Sequence, residues 1–390
     1  MRTRSSFVLT AWTVVLAAWT VCLAVLPMQA QTQFAEKQMD KKKSFESVEG
    51  KLMEQWIRDL KDKDPYIREN AIHMLKVFGS AAREASPQLV KALRDPDVSI
   101  RVNAAITLGF VGFNDDDVTT GINALKNLLV NDPQAIVRFQ AAQALCRLQH
   151  LATPAAPELA SKLRDKDSWE IRRACATALA FAGRDKAGGP DRVVLKSLED
   201  LMWDHCSEVR LEGLKSLIML GIPGGLNDRL TEEGLLTRMI TNEKQARVAI
   251  WARVLLLRIN VAPPVEDKSN KRAALGGSGA DKADKVEKNL IALAKYLKSP
   301  DYLTRLSAAQ AFAVIGRDGK SRVADLADLL EAEKELPILF HTVVALGEMG
   351  PYAETALPAL MKLKSQNLNS PQLRDEIDKA ISAVKKLALK

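Results

Sequence analysis

Cysteine is scarce in this 390-residue chain, which holds four. So few crosslinkable positions exclude a disulfide scaffold of the kind that small secreted domains use in place of a core. Histidine is equally sparse: His73, His150, His205 and His341 are scattered, and none is followed by Glu. That leaves little from which to build a catalytic metal centre. Aromatic residues make up 5% of the chain. It also lacks a Gly-rich phosphate loop, a Gly-x-Ser-x-Gly elbow and a Cys-x-x-Cys pair. Gly276-Gly277-Ser278-Gly279 follows no strand and is a linker by composition. His205-Cys206 beside Asp204 is a short ligand-like cluster without the two further spaced ligands of a structural zinc site. No catalytic, cofactor-binding or metal residue is assigned. The 47% hydrophobic content, with 20 Gly and 16 Pro, also excludes collagen-like, mucin-like and mostly disordered chains.

The chain begins with a segment that reads as a leader. Arg2 and Arg4 precede an uncharged stretch from Phe7 to Leu26, and Pro27-Met28-Gln29-Ala30 offers a cleavage site before Gln31. Met28 is large for its place, and the stretch is longer than the usual core of about 7–15 residues. About 20 apolar residues can also span a bilayer. Residues 1–30 are therefore either a cleaved signal peptide or an anchor held through residues 7–26. In both cases the rest is exported, to the periplasm or beyond the cell, with the arginines left inside. Cys22 lacks a lipobox-like context. Without residues 1–30, Lys+Arg falls from 56 to 54 against 48 Asp+Glu, and the net charge from +8 to +6. Residues 31–50, with Asp40-Lys41-Lys42-Lys43, are expected to form a charged spacer or a first irregular helix.

The body of the chain is repetitive. Ile-Arg or Val-Arg follows an Asp-Pro turn at Arg68, Arg101 and Arg138, and the same frame recurs at Arg172, Arg210, Arg247, Arg305 and Arg374, with Leu339 in place of arginine between the last two. The intervals are 33, 37, 34, 38, 37, 58, 34 and 35 residues. Seven residues after each origin stands an apolar residue, from Leu75 and Leu108 to Leu346 and Ile381, and ten after it another, from Phe78 to Val384. Small residues occupy the third position after it (Ala71, Ala104, Ala141, Cys175, Ala308). These positions share one helical face. Glycine eleven after the origin (Gly79, Gly112, Gly183, Gly221, Gly316, Gly350) provides a left-handed terminus. A second apolar-periodic segment precedes each turn. Every repeat is therefore expected to be a helix A, a tight turn and a helix B, with Asp-Pro ending one helix and starting the next. Such a pair must stack on its neighbours to bury its apolar face. The fold class is all-α, an α-solenoid of about nine helix-turn-helix repeats.

This pattern of an Asp turn, Val-Arg, small residues, Leu and Gly resembles HEAT repeats, particularly the bacterial phycobiliprotein-lyase-like variety. The likeness covers residues 51–390: six repeats in 51–260, a flexible inserted loop at 261–288, and three repeats in 289–390 ending in a polar cap, where Asp378 takes the place of a small core residue. The arginine column (Arg68, Arg101, Arg138, Arg172, Arg210, Arg247, Arg305, Arg374) could be taken for a phosphate-binding stripe. Its place directly after a core residue, near turn carboxylates Asp64, Asp95, Asp132, Asp165 and Asp204, points instead to a structural ladder between adjacent repeats. No nucleic-acid partner is expected.

The resemblance implies that B helices line the concave side and that positions two, five and nine after the arginine face a ligand. Those positions give Asn70, His73 and Val77, then Asn103, Ile106 and Phe110, then Gln140, Gln143 and Arg147, then Thr177 and Phe181, then Lys215 and Met219. Amides beside Phe and Met suit a protein or extended peptide partner. The alternative for Phe110, Phe181 and Met219 is packing against neighbouring helices. The expectation is a non-enzymatic exported scaffold without cofactor. Its rival is a lyase-like, chromophore-handling or tetrapyrrole-binding protein of the same repeat family.

Overall fold

The computed structural model describes residues 47–166, 168–185, 187–221, 230, 234–261, 279–366 and 370–386. The leader, residues 31–46 and residues 262–278 of the expected loop lie outside them. The chain divides into two compact units, Lys43–Leu235 and Leu236–Lys390.

The first unit opens on a small antiparallel hairpin, β1 (Ser47–Val48) and β2 (Lys51–Leu52). The turn between them is made by Glu49 and Gly50, both at positive φ. The end of the expected spacer is thus a hairpin and no helix. It covers the start of the array. The buried Trp56 donates its Nε1 proton to Val48 O, and Lys51 Nζ lies 4.3 Å from the Trp56 ring centroid.

Five helical pairs follow: α1 (Met53–Asp59) with α2 (Pro65–Phe78), α3 (Ser86–Ala92) with α4 (Val98–Val111), α5 (Val118–Asn131) with α6 (Ala135–Arg147), α7 (Ala156–Lys162) with α8 (Trp169–Ala182), and α9 (Arg192–Asp200) with α10 (Ser207–Leu220). The odd-numbered helices are the A helices and the even-numbered ones the B helices. The second unit continues with α11 (Leu235–Asn242) and α12 (Ala246–Val261), α13 (Gly279–Tyr296) and α14 (Tyr302–Ile315), α15 (Val323–Ala332) and α16 (Leu336–Met349), and α17 (Leu357–Ser365) and α18 (Pro371–Lys385). Each unit is a segment of α-solenoid.

Five of the B helices start on a side-chain cap four positions before the arginine. Asp64 accepts from Tyr66 N, Asp97 from Ser99 N, Ser168 from Ile171 N, Asp301 from Thr304 N and Ser370 from Leu373 N. Such caps satisfy amides that have no partner within the helix. Pro65 and Pro371 occupy the first helical position, where no amide proton is missed. Pro96 and Pro133 instead lie in the turn, before the caps Asp97 and Gln134. Asp64 is thus a cap, two positions out of register with Asp95 and Asp132. Gly79, Gly112, Gly221, Gly316 and Gly350 end B helices at positive φ; Gly183, at φ −81°, ends α8 without it.

The core runs along the B helices. Leu75, Leu108, Leu145, Leu179 and Leu217 are fully buried in the first unit, as are Val254, Phe312 and Leu346 in the second. Each such side chain contributes on the order of 1.5–3 kcal/mol. Ile381 in the last helix is half-buried. Several A helices are short because the chain enters them through a 3₁₀ segment, as at Gly79–Ala85, Gln149–Ala155, Gly316–Arg322 and Gly350–Ala356.

Two expectations are corrected. Residues 279–288, assigned to the inserted loop, form the first turns of α13. Asp378, expected to replace a core residue, is exposed and pairs with Lys364 at 2.6 Å, while Leu373, Ile377, Ala380 and Val384 make the buried face of α18.

Candidate interaction surface

Four of the arginines at the origin of the repeats, Arg68, Arg101, Arg172 and Arg305, each grip two turns. Arg68 Nε and Nη2 donate to Asp95 Oδ2 and Oδ1 at 2.9 and 3.1 Å, and its Nη1 donates to Asp62 O and Lys63 O in its own A–B turn. Arg101 repeats the arrangement with Asp132 and with Asp95 O and Pro96 O. Arg172 does so with Asp204 and Asp165 O, and Arg305 with Glu333, Ser299 O and Pro300 O. The carboxylate belongs to the turn of the following repeat. Its other task is to hold that turn: Asp95 accepts from Asp97 N, Asp132 from Gln134 N and Asp204 from Cys206 N. Planar forks of this kind are strong and geometrically specific.

Burial pushes the Asp204 carboxyl up. The hydrogen bonds from Arg172 and Cys206 N outweigh it and leave the group below the ordinary carboxylate range. Glu333 is lowered in the same way, against burial, by Arg305 and the amides of Lys334 and Glu335. Arg138 and Arg210 hold their own turns, through Asp132 O and Pro133 O and through Asp204 O and His205 O. Arg247 acts electrostatically on Asp301. Arg374 departs from the expected ladder, for its side chain is exposed and has no ion-pair partner among the described residues.

With these guanidiniums engaged, the B helices of the first unit still expose part of their surface, as at Val77 and Phe110. Neighbouring B helices α2, α4, α6, α8 and α10 pack closely, whereas successive A helices α3, α5, α7 and α9 touch little. Asn70, His73, Ile106, Gln140 and Gln143 are half-buried on the B helices. His73 is held below its ordinary pKa by burial and by Lys76, against the opposing effect of Glu69. Asn103 donates to Glu69 Oε1 at 2.8 Å, and Thr177 donates back to Arg173 O within its own helix. Both are committed locally. Lys215 does not belong to the open face: it is 9% exposed and buried among the helices.

Nine residues after each arginine runs a different set. Val77 and Phe110 are exposed, while Arg147, Phe181 and Met219 are half-buried. Phe110 therefore does not merely fill the interface between helices; 44% of it faces solvent. Arg147 lies over it, its guanidinium carbon 4.6 Å from the ring centroid. The stem of Arg147 reaches that ring across Gly109, where an added Cβ would stand 3.1 Å from Ala144 Cα and 3.2 Å from Arg147 Cδ. Arg147 Nη1 is buried without a hydrogen-bond partner. Burial lowers the Arg147 pKa, and of its neighbours only the Cys146 thiol acts the other way.

Among the described residues no group of three or more His, Cys, Asp and Glu side chains is placed to hold a metal ion. His205 and Cys206 serve the turn instead, with His205 Nε2 3.4 Å from Arg172 Nη2. No described helix is long and apolar enough to cross a membrane.

The family pattern of HEAT repeats matches residues 53–146 and 122–218. Residues 53–218 carry HEAT repeats. Those matches lie within the first unit, and the helical pairs of the second are known from the structure. Solved structures of similar fold include importin beta, 14% identical with a TM-score of 0.49, aligned over 85% of this chain and 47% of that one. The complex of CpcE and CpcF of phycocyanin lyase from Nostoc sp. PCC7120 is 18% identical with a TM-score of 0.44, over 88% and 98% of the two chains. An engineered protein is 19% identical with a TM-score of 0.45, over 86% and 89%. No curated protein matches the sequence.

Proposed function

We propose that this HEAT-repeat protein is a non-enzymatic, exported scaffold that binds a protein partner through an extended segment on the B-helix face of its first unit. The observation that carries this reading is the exposed Phe110, set among the half-buried amides Gln140 and Gln143 and the apolar Val77, Phe181 and Met219. Aromatic side chains in a polar surround are the usual energetic anchors of protein interfaces. Gln140 and Gln143 make no side-chain hydrogen bond among the described residues, so their donors and acceptors are available to a peptide backbone.

Site-specific photo-crosslinking tests it. A crosslinking amino acid at Ile106, on the B face, should capture a partner that one at the exposed Lys91, on helix α3, does not. Phe110→Ala together with Phe181→Ala should then weaken capture. Equal capture from both positions, or none of the expected loss, would refute the assignment of the face. A saturable spectral shift on titration with a tetrapyrrole would move the assignment to a chromophore-handling role. Export has its own test: protein recovered outside the cytoplasm should begin at Gln31 if the leader is cleaved and at Met1 if residues 7–26 anchor it. Confinement to the cytoplasm would refute export.

A further inference from the structure

The cation in the middle of the stripe is the feature that packing leaves unexplained. Native folds seldom leave a buried donor without an acceptor, and an orphaned guanidinium proton is costly because it has lost its water. Arg147 Nη1 is in that state, on a side chain that is only half-buried and has no carboxylate partner among the described residues. Gly109 clears the path of the stem, and the Phe110 ring supports the guanidinium from beneath. Arg68, Arg101, Arg172 and Arg305 show how this chain satisfies a guanidinium when it is structural: a carboxylate of the next turn plus carbonyls of their own turn. Arg147 has neither.

We infer that Arg147 is an anion anchor and that its occupant is the Asp or Glu side chain of an extended peptide segment whose apolar residues lie on both sides of it. The inference rests on the proposed peptide-binding face and names what that face selects. Its grounds are position and charge. Val77 and Phe110 stand on one side of Arg147 along the stripe, and Phe181 and Met219 on the other. A chain crossing all of them passes through the Arg147 position and continues, so the carboxylate comes from within the segment, since a terminus would leave half the stripe empty. Five B helices at roughly 8–10 Å spacing set the length, about 10–12 extended residues. Arg147 is the one cation among the five residues of the stripe, and this matches a single carboxylate better than a phosphate dianion, which is better served by several donors.

The test uses the whole protein and a set of fluorescein-labelled 12-residue peptides with Leu and Val alternating with Ser, in which one Glu is moved through the sequence. Fluorescence anisotropy at about 0.15 M salt should show the tightest binding with Glu near the centre. Replacing that Glu by Gln should weaken binding about tenfold, as expected for loss of a charge-assisted fork. Arg147→Met keeps the stem and should bind the Glu and Gln peptides equally, while Phe181→Ala should weaken both by the same factor. Equal binding of the two peptides by the unaltered protein overturns the anchor and leaves the peptide face standing; that comparison needs no variant to fold. Tighter binding of a peptide whose only carboxylate is its C-terminus overturns the internal placement. Failure of every peptide to bind, or indifference to Phe181→Ala, overturns the face and the anchor together.

Discussion

Arg172 Nε stands 2.7 Å from Asp204 Oδ2, joining residues 32 positions apart in sequence. The same guanidinium also holds Asp165 O of its own turn. One side chain thus fixes a turn within a repeat and docks the next repeat on it, so local and nearest-neighbour stability are coupled in one group. Its side chain is 5% exposed and that of Asp204 9%, which keeps the pair from the screening that weakens surface bridges.

Removing a ladder arginine should therefore cost far more than removing a surface one. Arg101→Met leaves the buried Asp132 carboxylate with the Gln134 amide but no cation, and the carbonyls of Asp95 and Pro96 without their side-chain donor. A loss of about 2–4 kcal/mol is expected. Arg374→Met, on an exposed side chain, should change stability by less than about 0.5 kcal/mol. Urea unfolding followed by circular dichroism distinguishes the two, and equal effects would contradict the ladder.

Acid should loosen the array through the same pairs. Asp204 and Glu333 are lowered from 3.8 and 4.5, so the stability they contribute is fully present above those values and is lost as the pH falls through the folded-state pKa. Glu348 runs the other way: burial and Glu376 raise it, so its contribution is present below 4.5 and is lost as the pH rises through its folded-state pKa. Thermal midpoints measured from pH 6 down to pH 2 should fall below about pH 4. In Arg172→Gln the fall should be shallower, because Asp204 then loses the hydrogen bond that lowers it. An identical profile would exclude this pair as a source of acid sensitivity.

Thiol chemistry should separate the cysteines. Burial pushes the Cys146 thiol up to about 12, with the Glu212 carboxylate adding to it, and Cys175 is raised by burial as well. Because the thiolate is the reactive form, iodoacetamide at pH 8 should modify Cys206 of the native protein and spare Cys146 and Cys175, whose thiols are pushed up. Denaturant should expose Cys146 and Cys175 as well. A Cys175 adduct in native protein, read by peptide mass spectrometry, would contradict the burial.

Close packing in the third repeat gives a further test. A Cβ on Gly121, in α5, would overlap the ring of the buried Phe113. Gly121→Ala should destabilise by about 1–3 kcal/mol, and adding Phe113→Leu should restore part of the loss. Additive effects in a double-mutant cycle would show that the two sites are uncoupled.

The helical pairs, their period and the buried columns were legible in the sequence because each repeat states the same answer. Leu75, Leu108 and Leu145 mark one face three times over, and a stacked array leaves that face nowhere to go but inward. The ladder was less legible because the turn acids do two jobs. Asp64, Asp97 and Asp301 stand four before the origin and cap helices, whereas Asp95, Asp132, Asp204 and Glu333 stand six before it and receive the preceding arginine. Glu333 was missed for that reason, although counting back six from Leu339 reaches it. On the B face, the resemblance to HEAT repeats pointed to Phe110 and Arg147 but could not tell that Lys215 is buried, or that Arg147 crosses Gly109 to lie on the ring. Those depend on how closely α4 and α6 approach.

Because Asp95 and Asp132 occupy equivalent places, removing residues 98–134 would join Asp97 to Ala135 and set Arg138 over the carbonyls of Asp95 and Pro96, six and five positions upstream as before. Arg68 would keep Asp95. The seam is its own template, and the first unit should accept excision or duplication of a whole repeat as a string accepts one bead fewer or more.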